Sequence, residues 1–183
     1  MKSTFLTLAM TLALAACATT AGQGGMLAAD APRALPTEGA VSVSWADPNK
    51  FSEITSSGNQ HDAAEGDWLI QIAKYMRSET SKYLPAGHTL ELTILDIKRA
   101  GQFEPWHGPG RHDVRIIRDI YPPRMTVQFR QLDAAGRVVA EGERKLTDQG
   151  FLTHVGPMLD SDPLRYEKRM LDTWVRREFR QSP

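Results

Sequence analysis

The stretch that decides the fold is Met125-Thr126-Val127-Gln128-Phe129-Arg130, followed by Asp133-Ala134-Ala135-Gly136 and the return segment Arg137 to Lys145. Met125, Val127 and Phe129 alternate with Thr126, Gln128 and Arg130, the period of two that puts apolar side chains on one face of a strand. The Asp-Ala-Ala-Gly segment supplies a compact turn, with Gly136 free to take positive φ at its end. Two such runs around one short turn predict an antiparallel hairpin.

Working back towards the N-terminus, Val114 to Ile120 reads as a short strand ended by Pro122-Pro123. His88 to Lys98 reads as another. There Leu90, Leu92 and Ile94 point one way, and Leu95 and Ile97 break the alternation, which predicts a bulge or burial on both faces near Leu95. Before it, Asp62 and Glu65 have capping-box spacing. Trp68, Leu69, Ile72, Met76 and Tyr83 then give one apolar helix face, closed by Pro85-Ala86-Gly87. Phe51 to Gln60 reads as a loop. Val41, Val43 and Trp45 alternate with Ser42 and Ser44, predicting the first strand. Beyond the hairpin, Asp162 and Pro163 mark a helix start. Leu164, Leu171, Trp174, Val175 and Phe179 form its apolar stripe, with Arg169, Asp172, Arg176, Arg177 and Arg180 largely off it.

The resulting order is β-α-β-β-β-β-α. It predicts an α+β two-layer sandwich, in which two helices cover one face of a five-stranded antiparallel or mixed sheet. The other face would carry Ser42, Ser44, Glu91, Thr93, Thr126, Gln128, Arg130, Glu141 and Glu143.

The N-terminal segment has a different character. Lys2 precedes an apolar run from Phe5 to Ala16, and Leu14-Ala15-Ala16-Cys17 ends it at the only cysteine of the 183 residues. The run is too short to span a bilayer, which takes roughly 20 residues, and it fits the apolar region of a cleaved signal. The pattern resembles a bacterial lipoprotein signal. Residues 1–16 are expected to be removed. Cys17 would then carry the acyl chains, palmitate among them; two or more chains anchor stably where one does not. Ala18 in place of Asp favours the outer membrane, with the body facing the periplasm. Residues 17–39 are rich in Ala, Gly, Thr and Pro and read as a flexible tether, spanning roughly 25 Å. Residues 40–183 form the single domain. Lipidation of Cys17 leaves no thiol for a disulfide or for catalysis.

Lys and Arg number 22 and Asp and Glu 22, so the chain is neutral overall. That argues against a nucleic-acid or polybasic membrane binder. No phosphate loop, dinucleotide fingerprint, nucleophile elbow or His-Glu-x-x-His helix occurs, and no cofactor is implied.

Chemistry-bearing residues concentrate in Glu104-Pro105-Trp106-His107-Gly108-Pro109-Gly110-Arg111-His112-Asp113. Glu104, Trp106, His107, Arg111, His112, Asp113 and the nearby Arg115 are the candidate binding residues, since long loops on rigid scaffolds often carry function. The spacing of the two histidines and Asp113 matches no strong zinc pattern. A hydrolase built on Glu104, His107, His112 and Asp113 is the alternative. Arg111, Arg115, Arg118 and Arg124 form a basic run that Glu91, Glu141 and Glu143 can balance across the sheet. His61, His88 and His154 stand alone.

Five segments carry a resemblance. They are Trp45-Ala46-Asp47-Pro48-Asn49-Lys50-Phe51-Ser52-Glu53-Ile54; Leu84-Pro85-Ala86-Gly87-His88-Thr89-Leu90; Asp96 with Ala100-Gly101; Arg115-Ile116-Ile117-Arg118-Asp119 with Pro123-Arg124-Met125; and Tyr166-Glu167-Lys168-Arg169-Met170-Leu171 with Trp174. Together they resemble a short proteobacterial exported family known only as a domain of unknown function. The resemblance implies export and brings no activity, cofactor or catalytic residue. The expectation is therefore a noncatalytic, lipid-anchored envelope domain with a protein or glycan partner.

Overall fold

The structure, a computed structural model, describes residues 27–107, 110, 112–153 and 161–180. The signal segment and Cys17 lie outside the described residues.

The hairpin forms as read. Strand β5 (Arg124–Leu132) pairs antiparallel with β6 (Val138–Thr147). The turn closes because Asp133 Oδ1 accepts the N–H groups of Ala135 and Arg137, at 2.8 and 2.9 Å. Strand β2 (Thr89–Lys98) adds antiparallel to β5, with the expected bulge between Ile94 and Asp96. Strand β1 (Val41–Trp45) pairs parallel to β2. A parallel pair needs a crossover, and helix α3 (Trp68–Ser81) lies within it. The main sheet is therefore mixed, in the order β1-β2-β5-β6.

Four strands, not five, make this sheet. The segment read as a strand from Val114 to Ile120 contributes only β4 (Arg115–Ile116), which pairs with β3 (Gln102–Phe103) in a separate two-stranded ribbon. Val114 and Ile120 are exposed, so the run lacks the buried face a sheet strand needs.

The loop read from Phe51 to Gln60 holds the short helix α1 (Ser52–Thr55) and the start of α2 (Gln60–Ala64). Asn59, not Asp62, caps α2: its side chain accepts from the Asp62 N–H at 3.2 Å. The expected capping box is replaced by this contact, and Gly66 separates α2 from α3. At the C-terminal helix, Asp162 Oδ1 accepts the Leu164 N–H at 2.8 Å, and α4 runs Arg165–Phe179.

One apolar core joins the layers. Val43, Leu92, Ile94, Val127 and Phe129 from the sheet meet Leu69, Ile72 and Met76 of α3 and Leu171, Trp174 and Val175 of α4. Both long helices therefore cover the same face. Tyr75 Oη donates to Asp172 Oδ1 at 2.7 Å across the two helices. On the opposite face, Ser42, Glu91, Arg130 and Glu141 align in one row, and Ser44, Thr93, Gln128 and Glu143 in the next, as expected.

Part of the stretch read as tether belongs to the domain. Leu35 is buried, its N–H donates to the Val43 carbonyl at 2.9 Å, and Trp45 N–H donates to the Arg33 carbonyl at 2.8 Å. This short antiparallel contact covers the free edge of β1, which would otherwise offer unpaired backbone groups.

Candidate functional site

Past the bulge, Ile97 stays in the apolar core while Asp96, Lys98 and the residues that follow enter a buried polar cluster. Asp96 accepts both the N–H and the hydroxyl of Ser52, each at 2.6 Å, and so anchors the start of α1. That places Glu53 under the ribbon with 0% exposure. Its Oε2 accepts the Arg99 N–H at 2.9 Å and lies 3.5 Å from Lys98 Nζ. Its Oε1 pairs with the Arg115 guanidinium, which also stacks 4.6 Å over the Phe103 ring. Lys98 Nζ donates to Gln102 Oε1 at 2.7 Å. Burial lowers the Lys98 pKa from its ordinary value, with the Glu53 carboxylate opposing that shift.

The next amide is held from the far end of the chain. Ala100 N–H donates to Glu167 Oε1 of α4 at 2.7 Å, in full burial. Burial pushes the Glu167 carboxyl above its ordinary range, because removing a carboxylate from water disfavours its charge. Its Oε2 makes no hydrogen bond among the described residues. Gly101 N–H then donates to the Tyr121 carbonyl at 2.9 Å. Gly101 takes a φ of 80°, and a Cβ there would sit 2.6 Å from Ile117 Cδ1 and 2.7 Å from the Ile116 carbonyl. Three consecutive amides, at Arg99, Ala100 and Gly101, are thus captured by three separate parts of the chain.

Glu104 belongs to the same system. It is buried; its Oε1 accepts the Tyr121 hydroxyl at 2.8 Å and its Oε2 lies 2.9 Å from Arg118 Nη2. That bond to Glu104 raises the Tyr121 pKa. The loop is fastened further where Gln102 Nε2 donates to the Ser56 carbonyl at 2.7 Å and Asn59 Nδ2 to the His112 carbonyl at 2.9 Å.

The expected candidates therefore separate. Glu104 and Arg115, read as binding residues, have their charges spent inside the protein. The basic run is not balanced by Glu91, Glu141 and Glu143 either: Arg115 takes Glu53, Arg118 takes Glu104, and Arg130 faces Glu91 and Glu141. The reason is that Val114 to Ile120 never joins the main sheet. Trp106 is 66% exposed, and His112 and Asp113 are exposed. The His107 side chain and Arg111 lie outside the described residues. Among the described residues no group of three or more His, Cys, Asp or Glu side chains can hold a metal. His61 faces Glu65 at 3.2 Å on the surface, and His88 Nδ1 lies 3.0 Å from Gln131 Nε2.

Sequence reasoning missed Glu53, Lys98, Arg99 and Glu167. A signal for Glu167 was present: it lies three residues after Leu164 and four before Leu171, so it occupies the apolar stripe. Glu53 lies between Phe51 and Ile54, both buried. Four of the five resembling segments contribute to this cluster, through Glu53, Asp96 with Ala100-Gly101, Arg115 with Arg118, and Glu167.

Nothing among curated proteins and nothing among solved structures matches the chain. Among the described residues no helix is long and apolar enough to cross a membrane. The profile of one family, described as protein of unknown function (DUF3016), matches residues 39–177, the whole span from β1 through most of α4. This chain therefore belongs to the DUF3016 family.

Proposed function

We propose that the protein is a noncatalytic binding domain of the cell envelope, held by lipid on Cys17 in the outer membrane and facing the periplasm. The 104–113 loop takes a protein or glycan partner. The supporting observation is the contrast between the loop's base and its surface. Glu104 and Arg115 fasten the base through buried ion pairs, while Trp106, with 66% exposure, stands on top. A large rigid aromatic held on a fixed base contributes contact area with little side-chain ordering on binding, which is why Trp dominates binding hot spots. Val114 and Ile120, close to β4 in sequence, are also exposed. The residues of the rival hydrolase reading do not act together in the same way, because Glu104 is committed to Arg118 and Tyr121.

Two measurements test the reading. Affinity capture from envelope extracts with the full chain is expected to recover a reproducible partner, and Trp106→Ala to reduce recovery at least tenfold with the unfolding midpoint unchanged. Equal recovery by the variant removes the loop from the interface. Metabolic labelling with palmitate is expected to mark the wild type and not Cys17→Ser; a labelled variant rules out the anchor.

A further inference from the structure

Opposite the ribbon's chemistry lies a second feature. The last residues of β6 and the facing side of α4 bound an open cleft of about 480 Å³. Lys145, Arg169, Arg176 and Arg177 line it, with Asp148 the one acidic residue. Arg169 takes Asp148 at 3.1 Å. The side chains of Lys145 and Arg177 make no hydrogen bond or ion pair among the described residues. A chain that is neutral overall thus gathers four cations around one cavity.

An independent observation concerns Trp174, which also lines the cleft. Its side chain is 1% exposed, and the indole Nε1 is buried with no hydrogen-bond acceptor among the described residues. A buried donor without an acceptor forfeits the hydrogen bonds it had in water. Trp174 lines the cleft, so an anion seated there is its neighbour. Guanidinium forks match the oxygens of phosphate and carboxylate. Arg169 is paired with Asp148 and Arg176 is within electrostatic reach of Asp172, which leaves Lys145 and Arg177 uncompensated among the described residues. A phosphate, with more charge and more acceptor oxygens, fits the set better.

We propose that the cleft between β6 and α4 binds a phosphate group, held by Lys145, Arg176 and Arg177 beside the Trp174 side chain. The phosphate can be free or carried on a lipid headgroup, since the recognising chemistry is the same. This site is separate from the 104–113 loop, so its failure leaves the loop reading intact.

The test follows the indole N–H resonances of the ¹⁵N-labelled full chain at fixed ionic strength. Inorganic phosphate is titrated in one arm. In the other, phosphatidylcholine bicelles are compared with bicelles that also contain phosphatidylglycerol. The Trp174 resonance, assigned with Trp174→Phe, is expected to shift saturably while Trp45, Trp68 and Trp106 stay in place. Lys145→Ala combined with Arg177→Ala, both exposed positions, is expected to weaken binding at least tenfold. A shift with inorganic phosphate identifies a free phosphate group as sufficient; a shift only with phosphatidylglycerol identifies the headgroup. A Trp174 resonance unmoved in both arms, or moved equally in the double variant, overturns the proposal.

Discussion

The two halves of β2 hold the protein together by different physics. From Leu90 to Ile94 the strand buries alternate aliphatic side chains against α3 and α4, and neighbours on β5 complete the core. From Asp96 to Phe103, past the bulge, Ile97 and Phe103 still join the core, but the backbone is fixed by carboxylates: Asp96 on α1, then Glu53 and Glu167 on two successive amides. The apolar half tolerates imprecise partners, because burial is non-directional. The polar half does not, because each buried charge depends on a specific partner. Both halves carry stability, and the polar half also fixes the orientation of a surface loop.

Five substitutions sharpen or break this contrast. Glu53→Ala leaves Lys98 and Arg115 buried without their counter-charge and is expected to cost about 3–5 kcal/mol in urea unfolding. That is comparable to the ~2–5 kcal/mol expected for Leu92→Ala in the apolar half. Hydrogen exchange distinguishes them: Glu53→Ala should expose the Arg99 amide and the ribbon first, whereas Leu92→Ala should loosen the sheet. A loss below about 1 kcal/mol for Glu53→Ala means that the cluster does not carry the polar half. Gly101→Ala forces a side chain into left-handed backbone and against Ile117, at an expected cost of about 1–3 kcal/mol.

Glu167→Gln keeps the acceptor for Ala100 and removes the ionisation that burial opposes. In the wild type the folded-state pKa lies above the ordinary value of 4.5. The folded state therefore binds more protons than the unfolded one across that interval, and stability falls as pH rises from 4.5 through the folded value. The wild type is expected to lose stability relative to the variant over that window in parallel urea titrations; superimposable profiles remove Glu167 from the account. Smallest of all, Arg130→Ala on the open face breaks contacts of 4.0 Å to Glu91 and 3.7 Å to Glu141. Being half-exposed, that pair is expected to change stability by less than about 0.5 kcal/mol.

The apolar half was legible because its signal is periodic. Met125, Val127 and Phe129 announce a strand by spacing alone, and Leu164 to Phe179 announce a helix. The bulge was legible too, since Leu95 and Ile97 break an alternation that burial enforces. The polar half has no period. Arg115 and Glu53 are 62 positions apart in sequence and adjacent in space, and nothing in either local segment names the other. Val114 to Ile120 misled for the opposite reason: its apolar content resembles a strand, yet Ile120 faces solvent on a turn. Trp106 was read as one of several candidates in its loop, and the structure leaves it exposed. The commitment of Glu104 to Arg118 and Tyr121 could not be read without the fold.

The most direct test of the central claim is photo-crosslinking in living cells, with the reactive amino acid placed at position 106 in one strain and at position 130, on the open sheet face, in another. The account predicts a recurrent envelope partner captured from 106 and not from 130. Capture from 130 alone, or from neither position, contradicts it.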